Sequence, residues 1–241
     1  MSRFRYVILP RLLLALSALA LLAALFLLWL TLGRPLPAIS LACRQTASAN
    51  CFTGGELLAS GPIRMEEAEP ESDAWAVLHA GDKYAMVELN RTAGLLWSVR
   101  DFLVMDASQF SSQDIFSLPT VISYFYYETE TPQPLPLPPD LPVRCYEQIP
   151  LAVCTNPSVV RVEGELLWLG HWEDPQEALA ERGVPITWSS AGNGVWVGEP
   201  VRADLPAKPD GNGHSGTLSV WCRGYDANGV LVCANPAQPL E

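Results

Sequence analysis

The first strong pattern along the chain is a run with no polar face at all. Residues 12–32, LLLALSALALLAALFLLWLTL, are apolar or small hydroxyl residues without a charge. As a helix rising about 1.5 Å per residue, this run would measure about 31 Å, the thickness of a bilayer's hydrocarbon core. Arg3, Arg5 and Arg11 precede it, while Arg34 alone follows closely. Basic residues resist translocation, so residues 1–11 are expected in the cytoplasm, 12–32 as a transmembrane anchor, and the rest across the membrane. Trp29 suits an interfacial position near the exit end. Ala20 and Ala24 form a small-xxx-small pair, though a run so rich in alanine produces such pairs by chance.

A cleaved signal is the rival to the anchor. Signal cores are shorter, about 7–15 residues, and small residues follow them closely. Here Ser40 and Ala42 lie beyond Arg34-Pro35-Leu36-Pro37. A lipidated Cys43 is disfavoured by Ser40, which stands where an apolar residue is expected. The anchor is the reading adopted.

Beyond Arg34 the pattern changes to short apolar runs broken by glycine, proline and acids. Residues 33–42 read as a proline-containing stalk and Cys43–Cys51 as a polar loop. Trp75–Ala80 and Lys83–Leu89, joined by Gly81-Asp82, read as a β-hairpin. Leu95–Met105 reads as a long strand, bulged near Arg100-Asp101. Ser111–Phe116 reads as a helical turn ending before Pro119, and Val121–Glu128 as an aromatic strand. Residues 131–142, TPQPLPLPPDLP, contain six prolines and predict a stiff polyproline II spacer.

After the spacer, Pro142–Thr155 reads as a cysteine hairpin and Val159–Leu169 as a strand. Asp174 at N-cap, Pro175 at N1 and Gly183 as a stop predict a short helix between them. Val184–Ser190 and Val195–Val201 pair around Ala191–Gly194, and 217–234 forms a final cysteine hairpin. Short strands with glycine turns predict a mainly β exported region, a sandwich or small barrel. Echoes between Cys145-x8-Cys154-Thr-Asn-Pro and Cys222-x10-Cys233-Ala-Asn-Pro suggest two related halves, 33–130 and 143–241, on either side of the 131–142 linker.

Cysteine placement adds a constraint. All six cysteines follow the apolar run, in close pairs: Cys43/Cys51, Cys145/Cys154 and Cys222/Cys233. An even count in an exported chain points to disulfides, and four-residue hairpin loops would set the second and third pairs opposite each other. Disulfide staples within each pair are therefore expected. Thioredoxin-like and zinc-type C-x-x-C spacings are missing from the sequence.

Charge narrows the partners. Of 15 basic residues three precede the apolar run, so 12 face 26 acids beyond it, a net charge of −14. Such a surface repels nucleic acid and anionic lipid and favours basic proteins. Glu66, Glu67, Glu69, Glu71 and Asp73 form the densest acidic run. Its spacing matches no calcium loop, so the run is read as an interaction surface or plain solvation.

Catalytic patterns are sparse. His171 precedes the helix cap and reads as packing on Trp172; His79 has Asp82 nearby but sits in an alternating strand. His214 follows an Asp-Gly-Asn-Gly turn that lacks a closing acid. Glu163 and Glu165 share a strand face without evidence of a cleft. Nucleophile-elbow, zinc-protease and P-loop motifs do not occur. These features predict no cofactor and an inner-membrane, single-pass protein of the cell envelope. Its exported region would be an accessory or binding subunit with a protein partner. The alternatives are an immunity-type inhibitor of a basic periplasmic toxin and an envelope hydrolase.

Overall fold

The computed structural model describes residues 9–31, 34–65, 70, 72–107, 114–127, 143–209, 211 and 214–235. The proline segment 131–142, the acids Glu66, Glu67, Glu69 and Glu71, and the basic N-terminal residues Arg3 and Arg5 lie outside them.

Helix α1, Leu9–Thr31, takes up the apolar run. It is the one candidate span among the described residues, long and apolar enough to cross a membrane. Its side chains from Arg11 onward are exposed, with partial cover at Trp29 and Leu30. The chain leaves it through Arg34 in the left-handed region (φ 56°). Trp29 Nε1 donates to Pro35 O at 3.0 Å. Leu36 then exchanges both backbone hydrogen bonds with Trp97, at 2.7 and 2.6 Å. The expected stalk is therefore tied to the edge of a sheet.

Residues 39–49 correct the expected polar loop: they form helix α2, Ile39–Ala49. Its buried residues, Ala42, Cys43 and Ala47, are small, so the helix lies close to the strands below. Alanine, serine and threonine dominate it, and no side chain caps Ala38, so the usual helix signals are weak.

The strands form separate antiparallel sheets. In the first sheet β1 (Glu56–Pro62), β2 (Ala74–Ala80), β3 (Lys83–Thr92) and β4 (Leu96–Asp106) follow one another as a meander. The β2–β3 hairpin turns at Gly81-Asp82 as expected. Glu88 opposes Asp101 and Leu89 opposes Val99, so Arg100 is the extra residue of the anticipated bulge.

In the second sheet β6 (Val143–Cys154) is central. Strand β5 (Ile115–Tyr127) lies on one side of it. On the other side lie β10 (Val195–Gly198) and β11 (Val201–Asp204), with β9 (Trp188–Gly192) beyond β10. The third sheet runs β13 (Leu231–Asn235), β12 (Thr217–Tyr225), β7 (Arg161–Leu169) and β8 (Val184–Pro185). Helix α3, Pro175–Arg182, begins where the sequence placed it, with Asp174 Oδ1 accepting from Gln176 N at 2.9 Å and Glu177 N at 3.0 Å.

Alternation along the strands stacks these layers. Ala76, Leu78, Ala85, Val87 and Leu89 face α2, while Trp75, Val77, Tyr84 and Met86 face the second sheet. On β6, Ile149, Leu151 and Val153 meet the first sheet, and Ala152 and Cys154 turn to the third. The order is thus α2, first sheet, second sheet, third sheet. The mainly β expectation holds. The sandwich gains a third sheet, and among the described residues no sheet closes into a barrel. A middle sheet buried on both faces needs near-continuous apolar strands, as in Ile149–Val153.

Three local readings are corrected. Ile115 and Phe116 open β5 rather than a helical turn. The strand passes Pro119 with a register shift between Leu118 and Val121, where a missing N–H is tolerated. Residues 143–154 are one strand, not a hairpin, because Gln148–Leu151 pair on both sides with β5 and with β10 and β11.

Candidate functional site

Residues 58, 79–84, 153–159 and 190–196 meet at the seam of the first two sheets. They wall an open cleft of about 490 Å³. Leu58, Val153, Val159 and Trp196 supply apolar surface; His79, Tyr84, Cys154, Asn156, Ser190 and Asn193 supply polar groups.

Turn geometry positions one side. Gly192, Asn193 and Gly194 all take positive φ, at 91°, 50° and 76°, between β9 and β10. Asn193 Nδ2 thereby donates to Leu58 O at 2.7 Å, tying the turn to β1. Gly194 accepts from Cys154 N at 2.8 Å, and a Cβ there would lie 2.3 Å from Cys154 O. Glycine is required at 194 by both conformation and space.

The other polar groups are held by neighbours. His79 stacks on Tyr84 with ring centres 4.5 Å apart, and Tyr84 meets Phe116 edge-on at 5.1 Å. Burial pushes the Tyr84 phenol up, so it remains a hydrogen-bond donor at neutral pH. Asn156 Nδ2 donates to Asp114 Oδ2 at 3.1 Å, while its Oδ1 accepts from Ser158 N and Ser158 Oγ at 3.0 and 2.7 Å. Such a wall offers stacking, hydrogen bonding and apolar contact to a ligand. Among the described residues no group of histidine, cysteine and carboxylates is arranged to hold a metal.

The predicted residues distribute differently. Cys43 is fully buried in α2, and Cys51 is exposed just beyond it with φ 57°. Cys145 and Cys154 lie nine residues apart on the straight strand β6, about 30 Å, so they do not pair. The Cys145 side chain lies outside the described residues. Cys222 opposes Asn235, and Cys233 opposes Gly224. The cause is the turn: Asp226 Oδ1 accepts from Asn228 N at 2.8 Å and Val230 N at 2.9 Å, a longer loop than expected. Tyr225 therefore faces Leu231, with a bulge after Gly224, and the third pair slips out of register. The described cysteines are free thiols, and the expected pairings 43–51, 145–154 and 222–233 are not formed.

Of the acidic run, Asp73 alone is described. It is exposed, yet its Oδ2 accepts from Arg91 N and its own N–H donates to Leu89 O at 2.8 Å. Asp73 thus ties the start of β2 to the end of β3. The strand pair Glu163 and Glu165 bonds to Arg161 at 2.8 Å and Arg223 at 3.0 Å. His171 meets Trp172 edge-on at 4.6 Å, the expected packing ahead of α3.

A second polar cluster, unmarked in the sequence, lies on the first sheet. Ser72 Oγ donates to Glu88 Oε2 at 2.7 Å, and Arg100 Nη1 donates to Ser72 Oγ at 3.2 Å. Burial pushes the Glu88 carboxyl up, Ser72 opposes that shift, and Asp101 adds to it.

Comparison with protein-family models, curated proteins and solved structures finds no match to this chain.

Proposed function

We propose that this chain is a single-pass, membrane-anchored accessory or binding protein of a cell envelope, with its β region in the periplasm. The observation that carries the reading is α1, an apolar helix whose described side chains lie outside the core. Exposed leucine at this density has a hydrophobic cost in water that lipid removes. Arg3, Arg5 and Arg11, which precede the apolar run, favour the orientation with its start inside. Burial of Cys43 supports the anchor over lipidation, because acylating that thiol would unpack α2 from the first sheet. The acidic balance after α1 supports a basic protein partner recruited by charge.

A reporter active solely in the periplasm, fused after Glu241, tests the orientation: activity is expected, with the full-length chain retained in membranes. A soluble fragment beginning near Ala38 or Cys43 would refute the anchor. Co-purification from detergent-solubilised membranes tests the binding role, and isolation of the chain without a stoichiometric partner would overturn it.

A further inference from the structure

The strongest unassigned feature is a contact between sheets. Cys154, at the end of β6, places its Sγ 3.9 Å from the Sγ of Cys233 on β13. Both residues are buried, and they are 79 positions apart. Cys233 sits over Gly224, where a Cβ would lie 2.6 Å from its sulfur, so glycine on β12 leaves the space this thiol occupies. Cys154 also lines the open cleft, which gives a disulfide donor a route to it.

From this contact we propose that Cys154 and Cys233 form a disulfide that locks the third sheet onto the second. Closing the contact to a bond of about 2 Å takes a shift of about 2 Å, within reach of side-chain rotation. Cys154 lines the cleft through which a donor would enter, so it is the first nucleophile, and the adjoining Cys233 thiol holds it below the ordinary thiol range. Its thiolate attacks a disulfide of the donor, an oxidised dithiol protein or glutathione disulfide, and releases one donor thiolate. Cys233 then gives its proton to solvent and attacks the Cys154 sulfur, expelling the second donor thiolate. Two protein thiols are oxidised, and one donor disulfide is reduced to two thiols. Cys222 is left out: burial pushes its thiol up to about 12, and its strand partner is Asn235.

In cells this bond rests on the proposed periplasmic placement, so the pairing is tested first on purified protein. The reduced full-length chain in detergent is exposed to glutathione disulfide, quenched in acid and alkylated. Digestion by trypsin and by a protease cutting after glutamate separates Cys145 from Cys154 at Glu147, and Cys222 from Cys233 at Arg223. A linked 154–233 peptide is expected, with Cys222 alkylated. In a Cys233→Ser variant Cys154 should stop at a glutathione adduct. Failure of the 154–233 link to form, or Cys154 joined to Cys145 or Cys222, overturns the proposal. Acid trapping in whole cells then reads the compartment. Reduced cysteines there, with the link forming readily in vitro, would refute the export reading and leave the pairing intact.

Discussion

Cys43 and Cys51 show how far two neighbouring cysteines diverge once one is packed. Burial pushes the Cys43 thiol up to about 12, whereas Cys51 is exposed beyond the helix end. Only thiolate reacts with alkylating agents. Brief treatment of the native protein with iodoacetamide at pH 8 should modify Cys51 and spare Cys43, with both reacting after denaturation. Equal labelling in the native state would contradict the packing of α2. Glu88 provides a pH-dependent case. Its folded-state pKa is raised above the ordinary 4.5, so the folded chain holds this proton more tightly than the unfolded one. Its contribution is complete below about pH 4.5 and is lost as pH rises through the folded value. Denaturant unfolding between pH 4 and 7 should show a steeper fall for the wild type than for Glu88→Gln. Parallel curves would exclude Glu88 as the source.

The elements that matter most for the β body are those lacking a strong periodic signal. Helix α2 covers one face of the first sheet through Ala42, Cys43 and Ala47, against Ala76, Leu78, Ala85 and Val87. Small residues on both sides allow close approach, which leaves no room for a charged group. Ala47→Glu should destabilise by about 2–4 kcal/mol, the range for burying an unpaired charge. Chemical denaturation measures that loss, and hydrogen exchange should show α2 opening before the strands. A change below about 0.5 kcal/mol, the usual size of a surface substitution, would mean that α2 does not cover the sheet. The helix of residues 175–182 was legible because its signals are local: a capping aspartate, Pro175 at N1 and a glycine stop. Its stop is also steric, since a Cβ at Gly183 would lie 2.5 Å from Leu179 O.

For the molecule as a whole, charge is the property most open to test. Exposed charges are screened beyond about 8–10 Å at physiological salt. Capture of a basic partner by the detergent-solubilised chain should therefore slow as salt rises from low to physiological. The variant that probes the acidic run changes Glu66, Glu67, Glu69 and Glu71 to Gln and keeps Asp73, because Asp73 binds the Arg91 backbone N–H. Its association rate should fall several-fold while dissociation and unfolding midpoint stay near wild type. Stopped-flow or surface-binding kinetics at two salt concentrations reads both. Rates unmoved by salt and by the variant would shift recognition to apolar surface.

The amino-acid sequence alone determined what depends on neighbours along the chain. The apolar helix, the β2–β3 hairpin at Gly81-Asp82, the bulge at Arg100 and the α3 cap each require a few adjacent residues. Tertiary structure decided what depends on strand partners. Val143–Cys154 resembles a hairpin because Gln148–Leu151 includes a proline, yet pairing on both sides holds it as one strand. Cysteine pairing followed the same rule. Proximity in sequence favoured Cys222 with Cys233, but an Asp226 turn lengthened the loop and displaced the register. Sheet stacking instead set Cys233 beside Cys154, 79 residues away. The cleft, assembled from four separate segments, was invisible for the same physical reason: a packed seam between layers leaves no periodic trace in any one of them.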